Sequence, residues 1–266
     1  MLWGIPIVQV LEVTDLKTVF RTNDGAIHAV NGISFALDEG ELLAAVGESG
    51  SGKTTLLNLV SGIYRATSGR VIFLEEDITD LGPHEIRRKG ISRTFQTNRL
   101  CMDLSVLDNM LIGLYSKQQA TWWEAILRPT KCQRELENNI EECFEVLAHF
   151  NPELIDKCYE PVTTIPLIDR RRIEIARAIV GEPKLLLLDE PTAGLNPEET
   201  LQMIEDIGKI RDGKFKVSII IIEHDMAVIS RISERVVVLN AGRKIAEGSF
   251  EEVSHNEEVR TAYLGG

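Results

Sequence analysis

One short stretch constrains this chain more than any other: Gly47-Glu-Ser-Gly-Ser-Gly52-Lys53-Thr54. It fills the pattern G-x-x-x-x-G-K-[S/T] at every fixed position. An apolar run, Leu42–Val46, leads into it, and residues 54–61 after it have helical spacing. Glycines let the backbone wrap closely round a phosphate, where a Cβ would obstruct. Successive amides then point inward as an anion nest, and the helix that follows presents its N-terminus to the same ligand. Lys53 can reach β- and γ-phosphates, and the Thr54 hydroxyl can ligate Mg²⁺. A plain glycine-rich turn is the simpler reading, but the full motif sits where the mechanism requires it. Gly47, Glu48, Ser49, Gly50, Ser51, Gly52, Lys53, Thr54 and Thr55 are therefore the candidate nucleotide-binding residues.

A second motif has the complementary chemistry. Leu185-Leu-Leu-Leu-Asp189-Glu190 reads as a buried strand ending in two carboxylates. Ligands of α/β sheets gather at the carboxyl ends of strands. Asp189 there can hold Mg²⁺ directly or through water, and Glu190 can orient or deprotonate an attacking water. Alone, an apolar strand ending in acids is often only a solvated strand end. Beside a phosphate loop the catalytic reading gains weight.

The chain between these motifs changes character. Residues 8–13, 27–37, 42–46, 70–74 and 91–95 read as strands. From about 105 to 181 the residues are mostly helix formers, broken by Pro129, Pro152, Pro161 and Pro166. Strands at 184–188, 216–222, 235–239 and 244–247 then alternate with helices at 197–211 and from about 226. That alternation predicts a largely parallel sheet covered on both faces.

Charge and composition exclude several functions. The net charge of −12 argues against broad binding to nucleic acid or to an anionic membrane surface. No run approaches the roughly 20 apolar residues that span a bilayer, and no signal peptide is visible, so a membrane role would need a partner. The four cysteines form no C-x-x-C pair and the five histidines are scattered, which suggests neither a metal site nor a disulfide framework.

Taken in order, the motifs resemble those of the ABC transporter ATPases over nearly the whole chain. They are the phosphate loop, Thr94-Phe95-Gln96, Arg171-Arg-Ile-Glu-Ile-Ala-Arg177-Ala, the strand to Glu190, Pro191-Thr-Ala-Gly-Leu-Asn196 and Ile222-Glu-His224-Asp225. Gly62-Ile-Tyr-Arg-Ala-Thr-Ser-Gly69, Arg93-Thr-Phe-Gln-Thr-Asn-Arg-Leu100, Ile222-Glu-His-Asp-Met226 and the ending from Asn256 are most similar to the branched-chain amino acid importers. Val19-Phe-Arg-Thr-Asn-Asp-Gly25 is more similar to the oligopeptide importers.

The resemblance implies a P-loop NTPase fold. Its α/β core would have a mostly parallel sheet with helices on both faces, an N-terminal antiparallel β subdomain and an inserted helical subdomain. Residues 1–97 and 182–266 would form the core of a single ABC ATPase domain, and 98–181 the helical part. It implies ATP and Mg²⁺ as ligands. Gln96 would contact Mg²⁺ or the attacking water, His224 would hydrogen-bond the γ-phosphate, and adenine would stack on Phe20. Asn196 would cross a dimer interface, and residues 97–106 would face a permease. The partners would be transmembrane permease subunits, a second ATPase subunit in a homo- or heterodimer and, indirectly, a substrate-binding protein. The chain would sit on the cytoplasmic face of the membrane, without nucleic acid.

One segment departs from the family pattern. These ATPases pair head to tail, and each nucleotide lies against the partner's signature, commonly Leu-Ser-Gly-Gly-Gln. Here the corresponding residues are Ile165-Pro-Leu-Ile-Asp-Arg170. The β-branched Ile168 is expected to crowd the approach of backbone to phosphate that glycine permits. Arg170 either contacts phosphate or is only surface charge. An impaired signature would suit a heterodimer or a regulatory subunit. Trp122-Trp123 either touches a partner or membrane interface, or packs within the helical part. Family members that act without a permease, in DNA repair or translation, usually carry two ATPase units, long coiled coils or basic surfaces, none of which is seen here.

Overall fold

The computed structural model describes residues 8–23, 25–96, 99–115, 117 and 129–264. Trp122 and Trp123 lie outside them, as do residues 97 and 98 of the segment expected to face a permease. Two sheets share the chain. The first is antiparallel, in the order β2-β1-β4-β5, from β1 (Gln9–Thr22), β2 (Gly25–Asp38), β4 (Ser68–Phe73) and β5 (Glu76–Asp77). The second runs β10-β9-β3-β8-β7-β6. It contains β3 (Leu42–Val46), β6 (Ile91–Arg93), β7 (Leu185–Asp189), β8 (Ser218–Ile222), β9 (Arg235–Asn240) and β10 (Arg243–Gly248). Its pairings are parallel except that of β10 with β9.

The unbroken apolar runs of the second sheet follow from burial on both faces. Leu43, Leu185, Leu187, Ile220 and Ile222 enter a core shared with the antiparallel sheet and with α1 (Lys53–Val60). Their neighbours Leu42, Leu186, Leu188, Ile219 and Ile221 point the other way, into a core with the helices inserted between β6 and β7. Those helices are α3 (Val106–Gly113), α4 (Pro129–Phe150), α5 (Glu153–Asp156) and α6 (Leu167–Ile179). A further helix, α2 (Pro83–Lys89), precedes β6. After β7 come α7 (Pro197–Asp212), α8 (Met226–Ile232), α9 (Phe250–Ser254) and α10 (Glu257–Leu264). Local chemistry starts several of these. Ser105 accepts from the Asp108 amide, Asn196 from those of Glu198 and Glu199, and Asp225 from that of Ala227.

The α/β architecture with an inserted helical segment is as expected, but several strands differ in extent, β1 most of all. β1 runs on to Thr22 rather than stopping at 13. Its pairing with β2 shifts register between Val13 and Leu16, and Asp15 takes a left-handed φ of 44°. The irregularity breaks the alternation on which a strand is recognised. β6 ends at Arg93, two residues short of the expected 95.

Candidate functional site

β3 ends at Val46, and the loop to α1 is held by backbone geometry before any ligand is considered. Gly50 and Gly52 have φ of 80° and 103°, which L side chains rarely adopt. A Cβ on Gly52 would strike the Ala29 carbonyl, and one on Gly47 the Ser51 hydroxyl and the Leu239 carbonyl. The Gly242 amide, in the β9–β10 turn, donates to the Ser51 carbonyl at 3.0 Å and braces the loop from outside. Lys53 donates to the carbonyls of Gly47 (2.6 Å) and Glu48 (2.9 Å) and to the Ser51 hydroxyl (3.4 Å). Burial lowers its pKa, against the pull of Glu190 and Asp189.

A cleft of about 800 Å³ opens over this loop. It is lined by Gly47, Glu48, Ser49, Gly50, Gly52, Lys53, Thr54 and Thr55, and by Gln96, Glu190 and His224. Residues far apart in sequence thus share one wall-to-wall space large enough for a nucleotide. Ser51 is buried beneath the loop and Asp189 at the end of β7. Phe20 is not among the lining residues. Its ring meets Tyr64 edge-on at 5.2 Å, and on β2 it faces Ile27, which does line the cleft.

The two carboxylates at the end of β7 have different environments. Asp189 is 2% exposed, and its Oδ2 accepts from Arg93 Nη2 at 2.9 Å. Arg93, 5% exposed, also donates to Asn58 (2.7 Å) and Ser61 (3.0 Å). Burial raises the pKa of Asp189 more than Arg93 lowers it. The other oxygen, Oδ1, is buried without a partner among the described residues. Such an orphan costs free energy unless something fills it. Glu190 instead faces the cleft, from a left-handed φ of 51°, with its backbone N–H donating to the Ile222 carbonyl (2.9 Å). Its Oε2 accepts from Gln96 Nε2 at 2.9 Å. Strain at a non-glycine residue in such a place marks a functional position.

The donor set fits a divalent cation that arrives with phosphate. Among the described residues no three His, Cys, Asp or Glu side chains are placed to hold a metal alone. Mg²⁺ characteristically takes one or two protein oxygens and completes its shell with phosphate and water. The orphaned Asp189 Oδ1 is such an oxygen.

His224 follows a buried acid that sequence reasoning passed over. Glu223 Oε1 accepts from the Thr192 amide (3.0 Å) and hydroxyl (2.6 Å), tying the start of the turn after Glu190 to the residue before His224. Its other oxygen is buried and unpartnered among the described residues. Burial raises its pKa despite these bonds and the nearby His224. With the folded-state pKa above the unfolded value, its contribution to stability is complete below about pH 4. It declines as pH rises through the raised value. Glu223→Gln keeps the acceptor for Thr192 and removes the ionisation. The variant is expected to gain urea stability relative to the parent on going from pH 5 to pH 8. An equal difference at both pH values would exclude this account.

The signature segment differs from expectation. Ile168 is 8% exposed and its side chain packs into the helical core. It shares a face with Ile175, two turns along α6. Ile168→Ala is therefore expected to lower unfolding free energy by about 2–3 kcal/mol through the cavity it leaves, measured by urea titration. A neutral result would show the side chain is not packed. Arg170 neither reaches outward nor floats. It donates to the carbonyls of Ile165 (2.6 Å) and Thr163 (2.7 Å) and staples the turn before α6. Asp169 is buried against Asn151 and Arg172. Pro166 and Leu167 are the exposed members. Asn196 spends its side chain capping α7.

Known proteins extend the geometry. A family model described as "ABC transporter" matches residues 30–193, and one described as "Branched-chain amino acid ATP-binding cassette transporter" matches 243–266. The high-affinity branched-chain amino acid transport ATP-binding protein LivG of Salmonella typhimurium is 34% identical over 91% of this chain and 93% of its own length. BraF of Pseudomonas aeruginosa, described in the same words, is 34% identical over 96% of this chain and 98% of its own. Among solved structures, a nucleotide-free ATP-binding cassette from an ABC transporter superposes with a TM-score of 0.81. It is 27% identical and covers 97% of this chain and all of that one. An ADP-bound cassette of an ABC transporter gives 0.80, with 25% identity over 97% of this chain and 99% of that one.

Proposed function

This chain belongs to the ABC transporter ATPase family, and from that membership we propose that it powers import of branched-chain amino acids, or of closely related small solutes, through membrane permease subunits. One observation carries the chemical part. The phosphate loop, the Gln96–Glu190 contact and His224 line one cleft, and Asp189 lies beneath it with an oxygen to spare. The substrate class rests on LivG and BraF, which match nearly end to end, and on the match of the last residues to the branched-chain family.

In this reading ATP lies with its phosphates on the loop amides and Lys53, and its base against Phe20 and the neighbouring β2 wall. Thr54, Asp189 and Gln96 would hold Mg²⁺, which would supply positive charge against the phosphates. Glu190 orients the attacking water and draws off its proton, aided by the Gln96 amide that fixes its carboxylate. His224 donates to the γ-phosphate. Burial of Lys53 keeps its charge poorly solvated and so more effective on the phosphates, and burial of Asp189 does the same for its pull on a cation. No described helix is long and apolar enough to cross a membrane, so movement of solute requires permease subunits, to which this chain would attach on the cytoplasmic face. A second ATPase subunit would face the cleft with its own signature, and a substrate-binding protein would deliver the solute.

The segment Ile165-Pro-Leu-Ile-Asp-Arg170 lacks the second glycine of the family signature, a departure that would suit a heterodimer. The purified chain alone tests this: brisk Mg-ATP turnover would show a working homodimer, and binding without turnover would require a partner with an intact signature. Loss of this subunit from its native cell is expected to abolish energised uptake of leucine, isoleucine and valine. Retained uptake of all three, with loss of another solute, would overturn the substrate class and leave the ATPase assignment standing.

A further inference from the structure

The helix that begins within the signature segment, α6, carries two buried side chains that bracket the residues leading to the catalytic contact. Arg171 is 7% exposed and Glu174 3%. They pair on one helix face at 3.4 Å. The Arg171 guanidinium donates to the Gln96 carbonyl (3.4 Å from each terminal nitrogen) and to the Ala193 carbonyl (3.2 Å). Glu174 accepts from the Phe95 amide (3.4 Å). Both polar groups flanking the Phe95–Gln96 peptide are therefore held from α6. The same arginine also holds the turn that starts at Glu190, whose carbonyl accepts from the Ala193 amide at 3.1 Å.

We propose that Arg171 and Glu174 are positioning residues that set the Gln96–Glu190 contact from the helical part of the molecule. Gln96 reaches Glu190 with its side chain while its own carbonyl is tethered to α6. Glu190 lies three residues before the other carbonyl on the same guanidinium. A shift of α6 relative to the sheet would move both tethers, and so the distance between amide and carboxylate, without touching the phosphate loop. The pair is buried, and that burial raises the pKa of Glu174 against the pull of Arg171. The isolated ammonium of a lysine cannot reproduce two divergent bonds from a planar fork.

The proposal rests on the role given above to Gln96, and its test separates the two. Arg171→Met and Arg171→Lys are compared in the full chain with its dimer partner, alone and with Gln96→Ala. Arg171→Met is expected to lower kcat by about 10- to 100-fold, with ADP affinity and the ATP KM little changed, and Arg171→Lys to fall between. In the Gln96→Ala background Arg171→Met is expected to add almost nothing. An equal fall with and without Gln96, or KM rising in step with the loss of kcat, would overturn it. Hydrogen exchange gives a readout independent of turnover. The Phe95 amide is expected to exchange faster in Glu174→Ala while α1 amides hold their rates, and unchanged Phe95 exchange would also overturn it. ADP that fails to bind the parent chain would refute the nucleotide site itself, leaving the exchange result to judge the tether. If Arg171→Met does not fold, Arg171→Lys carries the same kcat comparison.

Discussion

Exchange of Glu190 for glutamine is expected to lower Mg-ATP turnover by about 10²–10⁴-fold, the usual worth of a positioned general base, while ATP still binds. The substitution is nearly isosteric, and the Gln96 contact can survive through the amide oxygen. What is lost is a carboxylate able to take a proton from water. Glu190 holds this place with a left-handed backbone and its N–H donating to the Ile222 carbonyl of β8, so glutamine would sit where glutamate does. Steady-state phosphate release together with nucleotide titration decides it. Retained turnover would move the base elsewhere in the cleft. Loss of binding together with turnover would mean that the carboxylate organises the site instead of acting in it.

The next largest effect is expected at a residue that never enters the cleft. Arg93→Met is expected to cost about 3–5 kcal/mol of folding stability, because it strands a buried charge. Asp189 would lose its one described ion-pair partner at 2% exposure, and Asn58 and Ser61 would each lose a bond. Removing both charges leaves no charge stranded, and replacing both partners by uncharged groups is milder than removing one. The double variant Arg93→Met with Asp189→Asn is therefore expected to be more stable than the single Arg93 variant. Urea unfolding of the four proteins checks both statements. A double variant as unstable as the two losses added together would mean that the pair does not interact.

Much of the architecture is written in local pattern. The phosphate loop needs glycine, lysine and threonine at fixed places. The runs at β3, β7 and β8 are apolar throughout because neither face of these strands meets water. The second half of β1 was hidden, since Asp15 and its bulge interrupt the alternation. The orientation of Ile168 was hidden by the motif itself. Reading the segment against a glycine suggested a clash with phosphate, whereas the helical spacing of Ile168 and Ile175 already pointed inward. Arg93 carried a signal too, a cation in a short buried strand, but its partner lies 96 residues away. Glu223 and the Arg171–Glu174 pair share that difficulty. Pattern says that such residues are charged; only the packed chain says what they hold.

The strand order sets a schedule for making the protein. β3, which launches the phosphate loop near the start of the chain, lies between β8 and β9, both from its last quarter. The loop is further braced by Gly242. A ribosome will therefore have released the nucleotide motif long before its neighbours exist, and a growing chain cannot close the sheet around it. Non-local pairing of this kind is slow to form. It also means that fragments lacking the last quarter possess the binding sequence without the bracing, so a truncated product would not be a free-running consumer of ATP.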